Sequence, residues 1–147
     1  MLSTELCVAN LHGESITFIR WLTLEQASRE APKERGVYVI RGKDGRLFDR
    51  VNGESDIIYI GSSKNLRRRM KQYFKPIRKA SSPTQRIKRF SELYQLEVAF
   101  AQTPDQEEPT FYEAIALQEY WTAHHEFPPV NHSTVMKHFL GVTRLRN

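Results

Sequence analysis

Short apolar runs alternate along the chain with polar, turn-forming stretches, and the period of each run predicts an element. Residues 16–22, ITFIRWL, read as a strand. Thr23 and Gln26 are spaced as a capping box, so a short helix starts near Leu24, and Pro32 ends it. GVYVIR (36–41) and IIYIG (57–61) are rich in β-branched and aromatic residues and are expected to be antiparallel neighbours. The stretch between them, 42–56, holds three glycines and several turn formers and reads as a loop or irregular hairpin. Ser63 is placed to cap a helix from Lys64 to about Phe74, with Leu66, Met70 and Phe74 facing the core until Pro76 ends it. Ser82 and Pro83 open a second basic helix over roughly 83–93, and LEVAFAQ (96–102) reads as a third strand. A long helix is expected from about Glu108 to His124, closed by Pro128-Pro129, and STVMKHFL as a short terminal helix. The sum is an α/β (α+β) fold, a small three-stranded antiparallel sheet flanked by helices.

Composition narrows the class. The 147 residues fit one domain, and 39% hydrophobic with 27% charged content fits a globular protein. No apolar run approaches the ~18 residues of a membrane span, and the N-terminus lacks a signal-peptide pattern. Cys7 is the only cysteine, which excludes an intramolecular disulfide and a multi-cysteine zinc site, and a cytoplasmic location is expected. The net charge of +5 is modest but unevenly spread. Residues 64–89 hold eleven of the 22 Lys and Arg and no acid, whereas 91–136 hold eight acids and no Lys or Arg. A single-sign block on amphipathic segments creates a field suited to a polyanion. Its candidate phosphate contacts are Arg67, Arg68, Lys71, Lys75, Arg78, Lys79, Arg86, Lys88 and Arg89.

Candidate chemistry sits on the same elements. Tyrosines on neighbouring strands, such as Tyr38 and Tyr59, are by themselves packing residues. Arg69 and Tyr73, four apart, share a helical face beside the Leu66/Met70/Phe74 row, so Arg69 is expected at the margin of the core. On the long helix Glu119 lines up with Tyr112, Ile115 and Ala116, which predicts an inward carboxylate in need of a cation. Glu113 is expected on another side, as a solvated charge. His124 and His125 are adjacent and point apart, with no H-E-x-x-H, so they do not read as a metal pair. His132 follows Asn131.

The combination resembles the GIY-YIG endonuclease domain. The two tripeptides stand as Gly36-Val37-Tyr38 and Tyr59-Ile60-Gly61, the arginine as Arg69 within KNLRRR, and the aromatic one turn later as Tyr73. Glu119 is followed nine residues on by Pro128 and twelve on by Asn131, as in the family's metal-binding glutamate. The resemblance covers roughly 33–132. It leaves 1–32 as an N-terminal extension, 42–56 as an insertion longer than the family's usual hairpin, and 133–147 as a basic tail. Ser62 stands where some members have a lysine that assists the base, and Lys64 is nearby.

The resemblance implies a divalent-metal-dependent DNA endonuclease. Tyr38, Tyr59, Arg69, Tyr73 and Glu119 would be catalytic, with Gly36, Gly61, Ser62, Lys64 and Asn131 in support. Glu119 would hold one Mg²⁺ or Mn²⁺, Arg69 would bind phosphate oxygens, and Tyr38 would be the base, its phenolate favoured by Arg69 and the metal. A non-catalytic nucleic-acid-binding module on the same fold is the alternative, as is a domain whose basic helices bind a protein. DNA is the expected partner and a membrane is not. Target choice falls to residues 1–30, the insertion, the tail, an oligomer or a protein partner.

Overall fold

A computed structural model describes residues 7–9, 15–74, 83–104 and 106–131. The predicted terminal helix, the basic tail, the Ser82 cap and the cations Lys75, Arg78 and Lys79 lie outside the described residues.

A four-stranded antiparallel sheet carries the fold. Its strands are β3 (Ile19–Thr23), β8 (Leu96–Gln102), β4 (Gly36–Gly42) and β7 (Ile57–Ser63), in that spatial order. The three expected strands are its inner and far strands, and the N-terminal strand adds a fourth at the β8 edge. The apolar run at 16–22 breaks at Phe18. β2 (Ser15–Thr17) pairs with β1 (Cys7–Ala9), and the register of β3 on β8 shifts between Ile19 and Leu22, where Arg20 has a φ of 55°. β4 is buried along its whole length, which is why it reads as a continuous apolar run rather than an alternating one.

The sheet's two faces collect different helices. Val37, Val39, Ile60, Ala99 and Ala101 pack with Tyr112, Ala116, Leu117 and Tyr120 of α4 (Pro109–His124). Tyr38, Ile40, Ile58, Tyr59 and Val98 pack with Ala27 of α1 (Leu24–Glu30), Leu66 and Met70 of α2 (Leu66–Gln72) and Ile87 of α3 (Pro83–Leu93). The capping box of α1 forms as expected: the Thr23 hydroxyl accepts from the Gln26 N–H, and the Gln26 side chain accepts from the Thr23 N–H.

The start of α2 differs from expectation. Asn65 caps it by accepting from the Arg68 N–H at 3.0 Å, while the Ser63 hydroxyl bonds the Asn65 backbone in a turn before it. The helix also stops early, at Gln72. Phe74 therefore leaves the predicted core row and is 54% exposed, and Tyr73 turns inward in its place. The 42–56 insertion is ordered as a 3-10 turn (Lys43–Gly45) and a small hairpin of β5 (Phe48–Asp49) and β6 (Glu54–Ser55). Phe48 sits edge-on to Phe90 and Tyr94, and the buried Arg41 lies 4.0 Å over the Trp21 ring and pairs with Glu97 at 3.2 Å.

Gly36 is where strand, helix and strand come closest. A Cβ there would meet the Ala101 carbonyl oxygen at 2.4 Å and Leu66 Cδ1 at 2.8 Å. Backbone cannot give way as a flexible side chain can, so Gly36→Ala is expected to destabilise the fold by about 1–3 kcal/mol. Urea denaturation checks this; an unchanged midpoint would contradict the packing described.

Candidate active site

The two tripeptides face each other across one ladder. Tyr38 on β4 is the register partner of Gly61 on β7. A Cβ at Gly61 would lie 2.6 Å from Tyr38 Cζ and 2.6 Å from Tyr59 Cε2, so only glycine lets both rings lie over that point of the strand. The rings stand 5.8 Å apart, tilted by 38°. The Tyr38 hydroxyl hydrogen-bonds the Tyr73 hydroxyl at 2.8 Å, and the Arg69 charge acts on Tyr38, Tyr73 and Tyr59. Arg69 is half-buried, at the core margin as expected.

Buried phenols are hard to ionise. Burial, the largest effect, drives the pKa of Tyr38, Tyr59 and Tyr73 well above the usual value, and the Arg69 cation pulls the other way without overcoming it. Arg69 favours the phenolate as expected, but desolvation outweighs that one cation, and the three tyrosines stand as neutral phenols.

β7 is an edge strand, and its outer side is held from beyond α4. Asn131 Oδ1 accepts from the Ile60 N–H at 3.2 Å and Asn131 Nδ2 donates to the Ile60 carbonyl at 2.9 Å. The Val130 N–H donates to the Ile58 carbonyl at 3.0 Å. Asn131 thereby brackets the middle residue of Tyr59-Ile60-Gly61.

The two carboxylates of α4 exchange the places expected of them. Glu119 is exposed, and Glu113 is half-buried next to Ser62 and Arg69. The buried residues of α4 are Pro109, Tyr112, Ala116, Leu117, Tyr120 and His124. At about 100° per residue these centre on the direction of Tyr120, within about 20° of Glu113 and about 100° from Glu119. Burial raises the Glu113 pKa, opposed by hydrogen bonds from the side chain and backbone of Ser62 and by the Arg69 charge. Because "FYEAIALQEYW" is apolar nearly all round, periodicity alone does not orient this helix. A usable signal was Pro109 at the helix start, which places Glu113 one turn in, on the same face.

A cleft of about 190 Å³ opens beside these groups, lined by Ser62, Ser63, Lys64, Arg69, Glu108, Pro109 and Thr110. It thus joins the end of β7, the middle of α2 and the start of α4. Ser62 and Lys64 were anticipated here, while Glu108 and Thr110 were not. Glu108 lines the cleft and Glu113 lies beside its Ser62 and Arg69, and no group of three or more His, Cys, Asp or Glu able to hold an ion is found among the described residues. That donor set fits one hard divalent cation completed by waters and a phosphate oxygen, not an all-protein cage.

The basic block divides by role. Arg67 is committed to structure, its Nε donating to the Ala31 carbonyl at 2.7 Å. Arg68, Lys71 and Arg89 are exposed and Lys88 is partly so. Arg86 is half-buried, with its Nε and Nη2 buried and unpartnered. His124 is buried against Tyr120 and bonds the Asn52 carbonyl through Nδ1 at 2.9 Å, a packing role.

Sheet order, facing tripeptides and an arginine on the following helix describe a catalytic domain of the nuclease class, a phosphodiester hydrolase. The GIY-YIG catalytic domain matches residues 34–125, well over half of the chain, and the chain belongs to that family. The UvrABC system protein C of Microcystis aeruginosa is 43% identical over 53 residues, which are 36% of this chain and 7% of that protein. The chain thus spans a small fraction of that relative's length. The N-terminal endonuclease domain of UvrC from Thermotoga maritima, a point mutant bound to the catalytic divalent cation, aligns at 21% identity and a TM-score of 0.44. That alignment covers 74% of this chain and 94% of that one.

The raised phenol pKa values have a sign. Tyr38, Tyr59 and Tyr73 are easier to ionise unfolded, near pH 10, so their contribution to stability is complete below that and is lost as pH rises above it. In an ultraviolet titration of the folded protein these three should stay protonated beyond pH 10 and ionise together with unfolding. A phenolate signal from any of them near pH 8 in the free protein would contradict the burial argument.

Proposed function

We propose that the domain hydrolyses DNA phosphodiester bonds with one divalent cation, Mg²⁺ or Mn²⁺, held by Glu113. The observation that carries this reading is the placement of a half-buried carboxylate beside Ser62 and Arg69, next to the cleft and the tyrosine cluster. A carboxylate whose charge is disfavoured by burial gains most from an arriving cation. When bound, the cation neutralises phosphate charge and acidifies the groups around it.

The chain's own residues supply the rest. Arg69 forks across non-bridging phosphate oxygens. Tyr38 and Tyr73 share a hydroxyl–hydroxyl hydrogen bond; with Tyr38 as its donor, the Tyr38 oxygen can accept from the attacking water and orient it. As a base, Tyr38 needs the cation's charge, since Arg69 alone leaves the phenol neutral. Lys64, exposed at the cleft, is placed to bind a flanking phosphate. Arg68, Lys71, Lys88 and Arg89 extend a cationic surface for phosphates, so affinity should depend on salt more than on sequence.

One observation favours a second carboxylate. The spacing of Glu119 to Pro128 and Asn131 matches the family pattern, whereas its exposed position does not bring it to Arg69. Plasmid nicking with Mg²⁺, with and without EDTA, separates the two. Glu113→Gln is expected to lose on the order of 10²-fold or more of the metal-dependent rate, and Glu119→Gln to stay near wild type. The reverse outcome would move the metal to Glu119, and EDTA-resistant nicking would contradict a cation-dependent reaction.

The same variant gives a stability test. A raised carboxyl pKa favours the folded state fully below the unfolded value of about 4.5 and loses that contribution as pH rises. At pH 7 the charged Glu113 therefore costs stability, and Glu113→Gln should unfold at an equal or higher temperature. A lower melting temperature would count against the buried-charge account. For the binding surface, reversing Lys88 and Arg89 to Glu should weaken DNA binding and reduce its salt slope without altering the metal requirement. An affinity indifferent to salt would contradict phosphate-dominated contact.

A further inference from the structure

The 42–56 insertion has the wrong charge for a DNA arm. The three cations Lys43, Arg46 and Arg50 stand against the four acids Asp44, Asp49, Glu54 and Asp56, and a polyanion gains nothing from a hairpin of slight negative charge. Its hydrogen bonds run inward instead, to the C-terminal end of α4. Arg50 Nη2 donates to the Phe127 carbonyl at 2.8 Å, and the guanidinium pairs with Glu126 at 2.8 Å. The Val51 N–H donates to the Glu126 carboxylate at 2.5 Å. The Asn52 side chain donates to the Ala123 carbonyl at 2.7 Å, and the Asn52 N–H to the His124 carbonyl at 3.2 Å. Ala123 and His124 lie in the last turn of α4, whose carbonyls have no partner within the helix. The hairpin satisfies them.

The segment after α4 connects this hairpin to the site. Four residues beyond Phe127 stands Asn131, whose amide brackets Ile60 from the free side of the edge strand. Ile60 lies between Tyr59 and Gly61, and Tyr38 packs over Gly61. A continuous line of bonds therefore runs from residues 50–52 through 123–127 to 131 and into the second tripeptide. Loosening its outer end frees the outer side of the strand that carries Tyr59 and Gly61.

We infer that the insertion is an internal strap, and that Arg50 and Asn52 are positioning residues. They fix the 123–131 segment, and through Asn131 they hold Tyr59-Ile60-Gly61 in register against Tyr38. The kinetic part of this inference rests on the proposed nuclease reading; the structural part does not.

The test uses the full chain with Arg50→Met, which keeps the aliphatic stem, and Asn52→Ala, which removes a single side-chain bond and covers the case in which the first variant fails to fold. Arg50→Lys keeps the ion pair with Glu126 and serves as rescue. Amide hydrogen exchange is read at Ile60, whose N–H is held by Asn131, and at Val98 in an inner strand. The strap predicts exchange at Ile60 at least about tenfold faster in Arg50→Met with Val98 unchanged, and most of the protection restored in Arg50→Lys. Nicking should show kcat reduced about tenfold or more, with KM within about twofold. Unchanged Ile60 exchange, or an equal rise at Val98, would overturn the inference. So would a raised KM at constant kcat, the signature of a DNA contact. Should the wild type not nick at all, the nuclease reading fails and the exchange comparison still decides the strap.

Discussion

Tyr38 lies directly across a strand ladder from Gly61, and the space between ring and backbone admits no methyl group. The geometry of the site depends on that contact. With its ring laid over a glycine, Tyr38 is fully buried and its hydroxyl reaches Tyr73 at the end of α2. Tyr73 in turn brings the preceding turn of α2 inward, with the Arg69 charge close enough to act on Tyr38. The glycine of the other tripeptide does the same for the helix start, since Leu66 packs where a Gly36 side chain would be. Two glycines thus set how closely α2 approaches the sheet.

The electrostatics are those of a nearly dry site with few charges. Three phenols remain neutral because burial outweighs the nearby cation. One guanidinium and one carboxylate, Arg69 and Glu113, stand beside them, and Ser62 supplies hydrogen bonds to the latter. In such surroundings fixed charges act strongly on whatever enters. A cation and a phosphate arriving together would satisfy a carboxylate and an arginine that are only partly compensated by each other. The arrangement therefore favours binding both at once over binding either alone.

Much of the fold was legible in the sequence because local signals agreed. The Thr23–Gln26 capping box, the β-branched runs at 36–41 and 57–61, and the apolar stretch from about Glu108 to His124 each give an element whose position holds. Around the candidate site the expected placements that hold are Tyr38 and Gly61 on neighbouring antiparallel strands and Arg69 at the core margin. Three readings failed for identifiable reasons. Phe74 was assigned to the core by its i, i+4, i+8 spacing, which lapses when the helix stops at Gln72. Ser63 is expected to cap α2, but its hydroxyl bonds the Asn65 backbone and Asn65 caps the helix instead, two polar residues that both bond locally. Glu119 is expected to face inward, yet it stands exposed while Glu113 turns toward Ser62 and Arg69, because a helix apolar on nearly every side hides its own orientation, which only packing against the sheet reveals.

The central claim is that the cation and the phosphate meet at Glu113 and Arg69. Manganese soaked into crystals of this protein with a non-cleavable DNA analogue tests it directly, through the metal's anomalous scattering. A peak within bonding distance of the Glu113 carboxylate, with a phosphate oxygen shared between it and Arg69, is the predicted result. A peak on Glu119, or a phosphate bound away from Arg69, would contradict it.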